Sequence, residues 1–86
     1  MIKLERQLKA VVNRRRLAIL AYLKKKKVAS VAEVAENIKL SFTATSKHLL
    51  ILSAAGILDK EQVGLQMFYR IAESQMSVTK HLIFNL

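Results

Sequence analysis

Residues 31–56 read VAEVAENIKLSFTATSKHLLILSAAG, and the spacing of apolar side chains in this stretch decides the architecture. Val31, Val34, Ala35 and Ile38 recur at three- and four-residue intervals, which in an α-helix puts them on one stripe. Lys39 and Leu40 break the pattern as a turn, with Leu40 as an apolar plug between two helices. Ser41 suits an N-cap, because its hydroxyl can accept from the unpaired amides of the next turn. Beyond it, Thr45, Leu49, Leu52 and Ala55 or Gly56 share a second stripe, with His48 at its edge. The other side of that helix shows Phe42, Thr43, Ser46, Lys47 and Leu50. Gly56 stands where a left-handed residue commonly closes a helix. A short helix, a brief turn and a longer helix whose outer face opens with small hydroxyls and a lysine have the layout of a helix-turn-helix. The second helix is the one such a motif presents to DNA.

Upstream, residues 1–12 set Leu4, Leu8, Val11 and Val12 against Lys3, Glu5, Arg6 and Lys9, the pattern of an amphipathic helix. A basic amphipathic start resembles an organelle transit peptide, but Glu5 and the lack of serine in this stretch argue against one. No unbroken apolar segment of a signal peptide is present, and nothing approaches the ~20 residues needed to span a membrane. A cytoplasmic protein without membrane association is therefore expected. Asn13 can cap a helix over residues 14–26, whose stripe is Leu17, Ile19, Leu20 and Leu23. Arg14, Arg15 and Arg16 oppose the dipole of that helix, whereas Lys24 to Lys27 are favoured by it. The arginines either contact something anionic or are tolerated in water. Residues 28–30 form a short connector, and Ser30 with Glu33 makes a capping box for the next helix.

Downstream, residues 57–63 and 66–72 alternate as two strands, with Gly64 and Leu65 at the bend of a β-hairpin. Met67, Tyr69 and Ile71 fall on one face, Phe68 and Arg70 on the other. Residues 74–86 are predicted to form a last helix carrying Met76, His81, Leu82, Ile83, Phe84 and Leu86. So apolar a segment either packs across its own subunit or, the reading favoured here, joins the first helix in a dimer seam. The expected fold is mainly α with a small β-hairpin: a winged helix-turn-helix in the order α-α-α-α-β-β-α, spanning residues 1–86 as one domain.

Composition narrows the function. The chain has 86 residues, 52% of them hydrophobic, more than a lone domain of this size easily hides. Fifteen Lys and Arg against six Asp and Glu give a net charge of +9, which favours a polyanionic partner. Cysteine is absent, so neither a disulfide nor thiolate metal ligation is available. His48 and His81 are the only imidazoles, without carboxylates at ligand spacing, and no metal effector is expected. No phosphate-binding glycine loop, nucleophile elbow or carboxylate pair occurs, so the chain is expected to be no enzyme and to need no cofactor.

RRRLAILAYL over residues 14–23, the whole of residues 31–58 and the hairpin ending FYRI resemble the ArsR-type winged-helix transcriptional regulators. The likeness runs from about residue 11 to residue 71. It is most specific at Arg16 to Leu20 and along Ser46, Lys47, His48 and Leu49 through Leu52, Ala55, Gly56 and Leu58. The resemblance implies a homodimer on double-stranded DNA, with recognition helices (about residues 42–55) in successive major grooves and wings beside the backbone. It implies DNA contacts from Ser41, Phe42, Thr43, Ser46 and Lys47, and from Lys60 and Gln62 on the wing. The first and last helices would form the dimer interface, through Leu4, Leu8, Val11, Leu82, Ile83 and Phe84.

Three departures from the family pattern stand out. The hairpin reads DKEQVGLQMF, with Asp59 and Glu61 where wings tend to be basic and an apolar tip of Val63 and Leu65. Leu50 takes a position that is usually polar. Lys39 sits where the turn often has glycine, and a left-handed lysine costs ~1 kcal/mol. A different use of the same fold follows from these departures: a protein-interaction module docking through Phe42, Leu50, Val63 and Leu65. His48 is read as a hydrogen-bonded structural residue at the base of the recognition helix, in preference to a phosphate donor or pH sensor.

Overall fold

The computed structural model describes residues 2–73 and 77–86. In chain order they form α1 (Ile2–Val11), α2 (Arg14–Lys26), β1 (Ala29–Ser30), α3 (Val31–Ile38), α4 (Phe42–Ala54), β2 (Leu58–Val63), β3 (Gln66–Ile71) and α5 (Ser77–Phe84). Side-chain caps fix where the central helices begin. The Asn13 side chain accepts from the amides of Arg15 and Arg16 at 3.0 and 3.2 Å. At α3, the Glu33 amide donates to the Ser30 hydroxyl at 3.2 Å while the Ser30 amide donates to the Glu33 carboxylate at 2.8 Å. That backbone hydrogen bond holds the Glu33 carboxyl below its ordinary value. Ser41 accepts from the Ala44 amide at 3.1 Å and starts α4.

Left-handed residues close the same helices. Lys39 lies at φ 59° and ψ 49°, and the Leu40 amide reaches back to the Ala35 carbonyl at 3.1 Å. At the end of α4, Gly56 has φ +80°, with its amide on the Ser53 carbonyl and the Ile57 amide on the Leu52 carbonyl at 2.9 Å. This is the paired closure in which a residue free of a Cβ penalty turns the chain out of the helix. Lys27, at φ 79°, ends α2 in a third positive-φ conformation for which its sequence gives no cue.

The sheet adds one strand to the expected hairpin. It has three strands in the order β1-β3-β2, all antiparallel, because the connector at residues 28–30, for which an extended backbone is one reading, supplies a strand. Two residues are too few to show a period of two. Their pairing, Ala29 with Tyr69 and Ser30 with Phe68, is made by the tertiary fold. The hairpin strands begin and end one residue inside the expected limits, although the Ala72 amide still donates to the Ile57 carbonyl at 2.8 Å. Of the two bend residues only Gly64 has a positive φ, the II′ pattern that matches the twist of the flanking strands.

Ile19, Leu20 and Leu23 of α2, Val34 of α3, Leu49 and Leu52 of α4, and Ile57 and Tyr69 beside the sheet make a common core. The first helix does not bury the side its apolar pattern indicates. Gln7, Ala10 and Val11 are buried, whereas Val12, expected on the apolar face, is 77% exposed. The stripe of Leu4, Leu8 and Val12 is turned roughly a quarter of a turn from the side that enters the core. Gln7 is wholly buried; its Nε2 donates to the Ala55 carbonyl at 3.2 Å and its Oε1 accepts from the Thr79 hydroxyl at 3.0 Å. One amide thus ties α1 to the end of α4 and to α5. Residues 74–76, the expected start of the last helix with Met76, lie outside the described residues, as does Met1. Among the described residues no helix is long and apolar enough to cross a membrane.

Candidate nucleic-acid interface

The recognition helix is anchored by one stripe and displayed by the rest. Thr45, Leu49 and Leu52 are fully buried beneath it. Outward, Ser41, Phe42, Thr43 and Lys47 are exposed and Ser46 is half-buried. The first turn of α4 holds no acidic side chain, so the partial positive charge of its amides stands uncancelled beside Lys47. The Ser41 hydroxyl accepts within the cap but keeps its own proton for another acceptor. Together these side chains offer one ammonium, three hydroxyls and an aromatic ring on the outer side of one helix.

On the wing, Lys60 pairs with Tyr69 and Gln62 with Met67, so both lie on the sheet face shared with those residues. Gln62 turns its amide back onto the Gly64 carbonyl at 3.3 Å. On the opposite face Glu61 lies 3.6 Å from Arg70. That exposed pair contributes little stability but cancels charge on the outer wing. Lys60 and Gln62 are exposed, yet they are separated from the Phe42–Lys47 group by the groove between helix and wing. That groove gathers Phe42, Ser46 and Leu50 from α4 with Leu65, Gln66 and Met67 from the hairpin; Phe42, Leu50 and Leu65 were expected on one apolar surface, whereas Ser46, Gln66 and Met67 are added by the fold.

His48 sits half-buried at the flank of α4, where its Nδ1 accepts from Arg16 Nε at 3.2 Å; a second nitrogen of the same guanidinium donates to the Ala10 carbonyl at 3.2 Å. Burial, then the charges of Arg16 and Arg15, hold the His48 pKa below its ordinary value. The link between α2 and the recognition helix was not found from sequence. Its partners are 32 positions apart, and no local spacing announces them.

Of the six residues expected at a subunit seam, Val11 and Ile83 are 2% and 5% exposed and belong to the core of the same chain. The reason is helix phase: Val11 lies on the inward side of α1 with Gln7 and Ala10, and Ile83 points inward between the exposed Leu82 and Phe84. Leu4 and Leu8 are half-buried along an apolar furrow that ends at Val12, and Leu82 and Phe84 are exposed on α5. Lys24 folds over this end of the chain, with Nζ 5.3 Å from the Phe84 ring centre and hydrogen-bonded to the carbonyls of Phe84 and Leu86.

Comparison with known proteins agrees with this geometry. Residues 13–60, more than half of the chain and the whole helix-turn-helix, match the bacterial regulatory protein, arsR family. The transcriptional activator HlyU of Vibrio cholerae serotype O1 is 32% identical over 79 residues, covering 92% of this chain and 72% of that protein. A solved structure of HlyU from Vibrio cholerae N16961 superposes with a TM-score of 0.82 at 31% identity, over 98% of this chain and 87% of that one. The homodimeric winged helix-turn-helix DNA-binding domain Mb0332 of Mycobacterium bovis, a possible ArsR-family regulator, gives a TM-score of 0.80 at 28% identity, over 96% and 73%. The chain therefore belongs to the ArsR family of bacterial regulatory proteins, and its work is DNA-binding regulation of transcription, carried by a winged helix-turn-helix and not by catalysis.

Proposed function

We propose that this protein binds duplex DNA as a homodimer, with α4 of each subunit in a major groove and the half-sites about one helical turn (~34 Å) apart. The observation that carries the reading is the outer face of α4. Phe42, Thr43 and Lys47 stand free of the core beside Ser46, along the first two turns of a helix in a chain of net charge +9. The Lys47 ammonium and the hydroxyls of Ser41 and Thr43 bind phosphates, and Ser46 and Thr43 reach base edges. The subunits pair through the apolar flank of α1 and the exposed side of α5, in keeping with the homodimeric state named for the Mycobacterium bovis domain. Lys60 and Gln62 steady the wing beside the backbone.

The test is selection of bound duplexes from a random pool, followed by titration of the winning duplex at several salt concentrations. A palindromic motif is expected, with an affinity that falls steeply as salt rises. Lys47→Ala should weaken binding across all sequences and reduce the salt slope by about 1 per half-site, without lowering the melting temperature. Unchanged affinity and slope in a folded Lys47→Ala protein would move the reading surface away from α4.

A further inference from the structure

Phe42, Ser46 and Leu50 follow one another at four-residue steps and therefore line one side of α4. Opposite them stand Leu65, Gln66 and Met67 of the hairpin, and the groove between has a volume of about 360 Å³. Phe42 is 60% exposed, Leu50 46%, and Leu65 stands wholly in solvent. The polar side chains there are few. Ser46 and Gln66 contribute a hydroxyl and an amide, the buried Tyr69 also lines the groove, and the Ser30 hydroxyl is already engaged in the cap of α3. An apolar trough thus runs along a helix whose other exposed side carries Lys47.

We infer that this groove, made by Phe42 and Leu50 with the wing residue Leu65, reads the C5-methyl groups of thymines in the major groove. The inference rests on the DNA-binding reading above and adds the class of base that is recognised. Charge selects the occupant: the trough lies on the helix that carries Lys47, in a strongly basic chain, which suits a polyanion with apolar projections. In the major groove the thymine methyl is the one apolar projection that a base edge presents. Cytosine and guanine present amino and carbonyl groups at the same depth. Set against Phe42 and Leu50, those groups give up water without gaining a partner. Ser46, midway along the trough, can donate to the thymine O4 beside the methyl. Discrimination on this side of the helix comes from shape and desolvation, and hydrogen bonding has a secondary part.

Replacing thymine by uracil removes the methyl group and leaves every base-pairing group in place. The experiment takes the duplex selected above and substitutes uracil at each thymine singly, measuring affinity with the full chain. At one or more thymines in each half-site, affinity should fall about fourfold, the effect of one buried methyl group. In Phe42→Ala or Leu50→Ala the same substitution should have no effect. Neither side chain belongs to the buried core, so truncation spares it, and the uracil series on the unaltered protein needs no variant. Indifference to uracil at every thymine would overturn the inference, as would a fall that persists unchanged in both variants. If no duplex binds even at low salt, the DNA-binding reading itself fails, and the trough is left to an apolar protein partner.

Discussion

Arg16 Nε donates to His48 Nδ1, so that nitrogen carries no proton and the imidazole hydrogen resides on Nε2. Protonating His48 would set two donors against each other across 3.2 Å and bring an imidazolium beside a guanidinium. Burial disfavours that state first, and the charges of Arg16 and Arg15 disfavour it further. The folded-state pKa therefore lies below 6.5, the value expected in the unfolded chain. The sign follows from linkage: the unfolded chain takes up the proton first as pH falls. His48 thus contributes its full stabilisation above pH 6.5 and loses it as pH drops through the folded value. An NMR titration should place the His48 midpoint below 6.5, and Arg16→Ala should bring it back toward that value. A midpoint at or above 6.5 in the unaltered protein would refute the contact. That His48 lies at the edge of the buried stripe was legible from its spacing to Thr45, Leu49 and Leu52. Its partner was not, because a contact between helices depends on how two cylinders are set against each other. The caps lie at the other extreme: Asn13, Ser30 with Glu33, and Ser41 bond within two or three residues, so the local sequence specifies them.

Among the elements, α1 separates what a pattern tells from what packing decides. Its apolar residues have a helical period, so the helix itself was foreseeable. The side that enters the core is nevertheless the one bearing Gln7, and a buried glutamine cannot be read as core from sequence alone. Its amide bridges Ala55 and Thr79, which closes the end of the recognition helix against the last helix. Gln7→Ala would leave a void and take the buried acceptor from the Thr79 hydroxyl, at a cost of about 2–4 kcal/mol. Thr79→Val, which keeps the volume and removes the hydroxyl bond alone, should cost less, about 1 kcal/mol. Urea unfolding followed by circular dichroism measures both. Equal small losses in the two variants would show that Gln7 fills space without serving as a clip. The third strand was illegible for a simpler reason. Ala29 and Ser30 are held by β3 alone, and strand pairing between distant segments leaves no mark on so short a run.

At the scale of the whole molecule, two apolar surfaces outside the α4–wing groove lie open among the described residues. One is the Leu4, Leu8 and Val12 flank of α1; the other is the side of α5 that shows Leu82 and, 74% exposed, Phe84. The composition foretold such a surplus, since 52% hydrophobic residues exceed what a chain this small encloses. Which individual side chains face outward depends on helix phase, which composition does not carry. Val11 and Ile83 point inward, and the seam proposed here accordingly rests on the residues beside them. Val12→Glu should test it cleanly, because that side chain is in solvent in the single chain and its replacement leaves the core intact. In a dimer paired through α1, two new carboxylates would be brought together in an apolar seam, weakening association by tenfold or more, that is by at least about 1.4 kcal/mol. Sedimentation velocity at matched concentrations should then show a shift from dimer to monomer. The melting temperature should also lose the dependence on protein concentration that a dimer confers. Phe84→Glu, placed beside Lys24, should weaken the dimer without unfolding the subunit, since the lysine accepts the new charge. Dimers of undiminished strength in both variants would put the seam elsewhere, and a monomeric parent protein at about 0.1 mM, where a micromolar dimer is fully formed, would remove the twofold arrangement on which paired major-groove contacts depend.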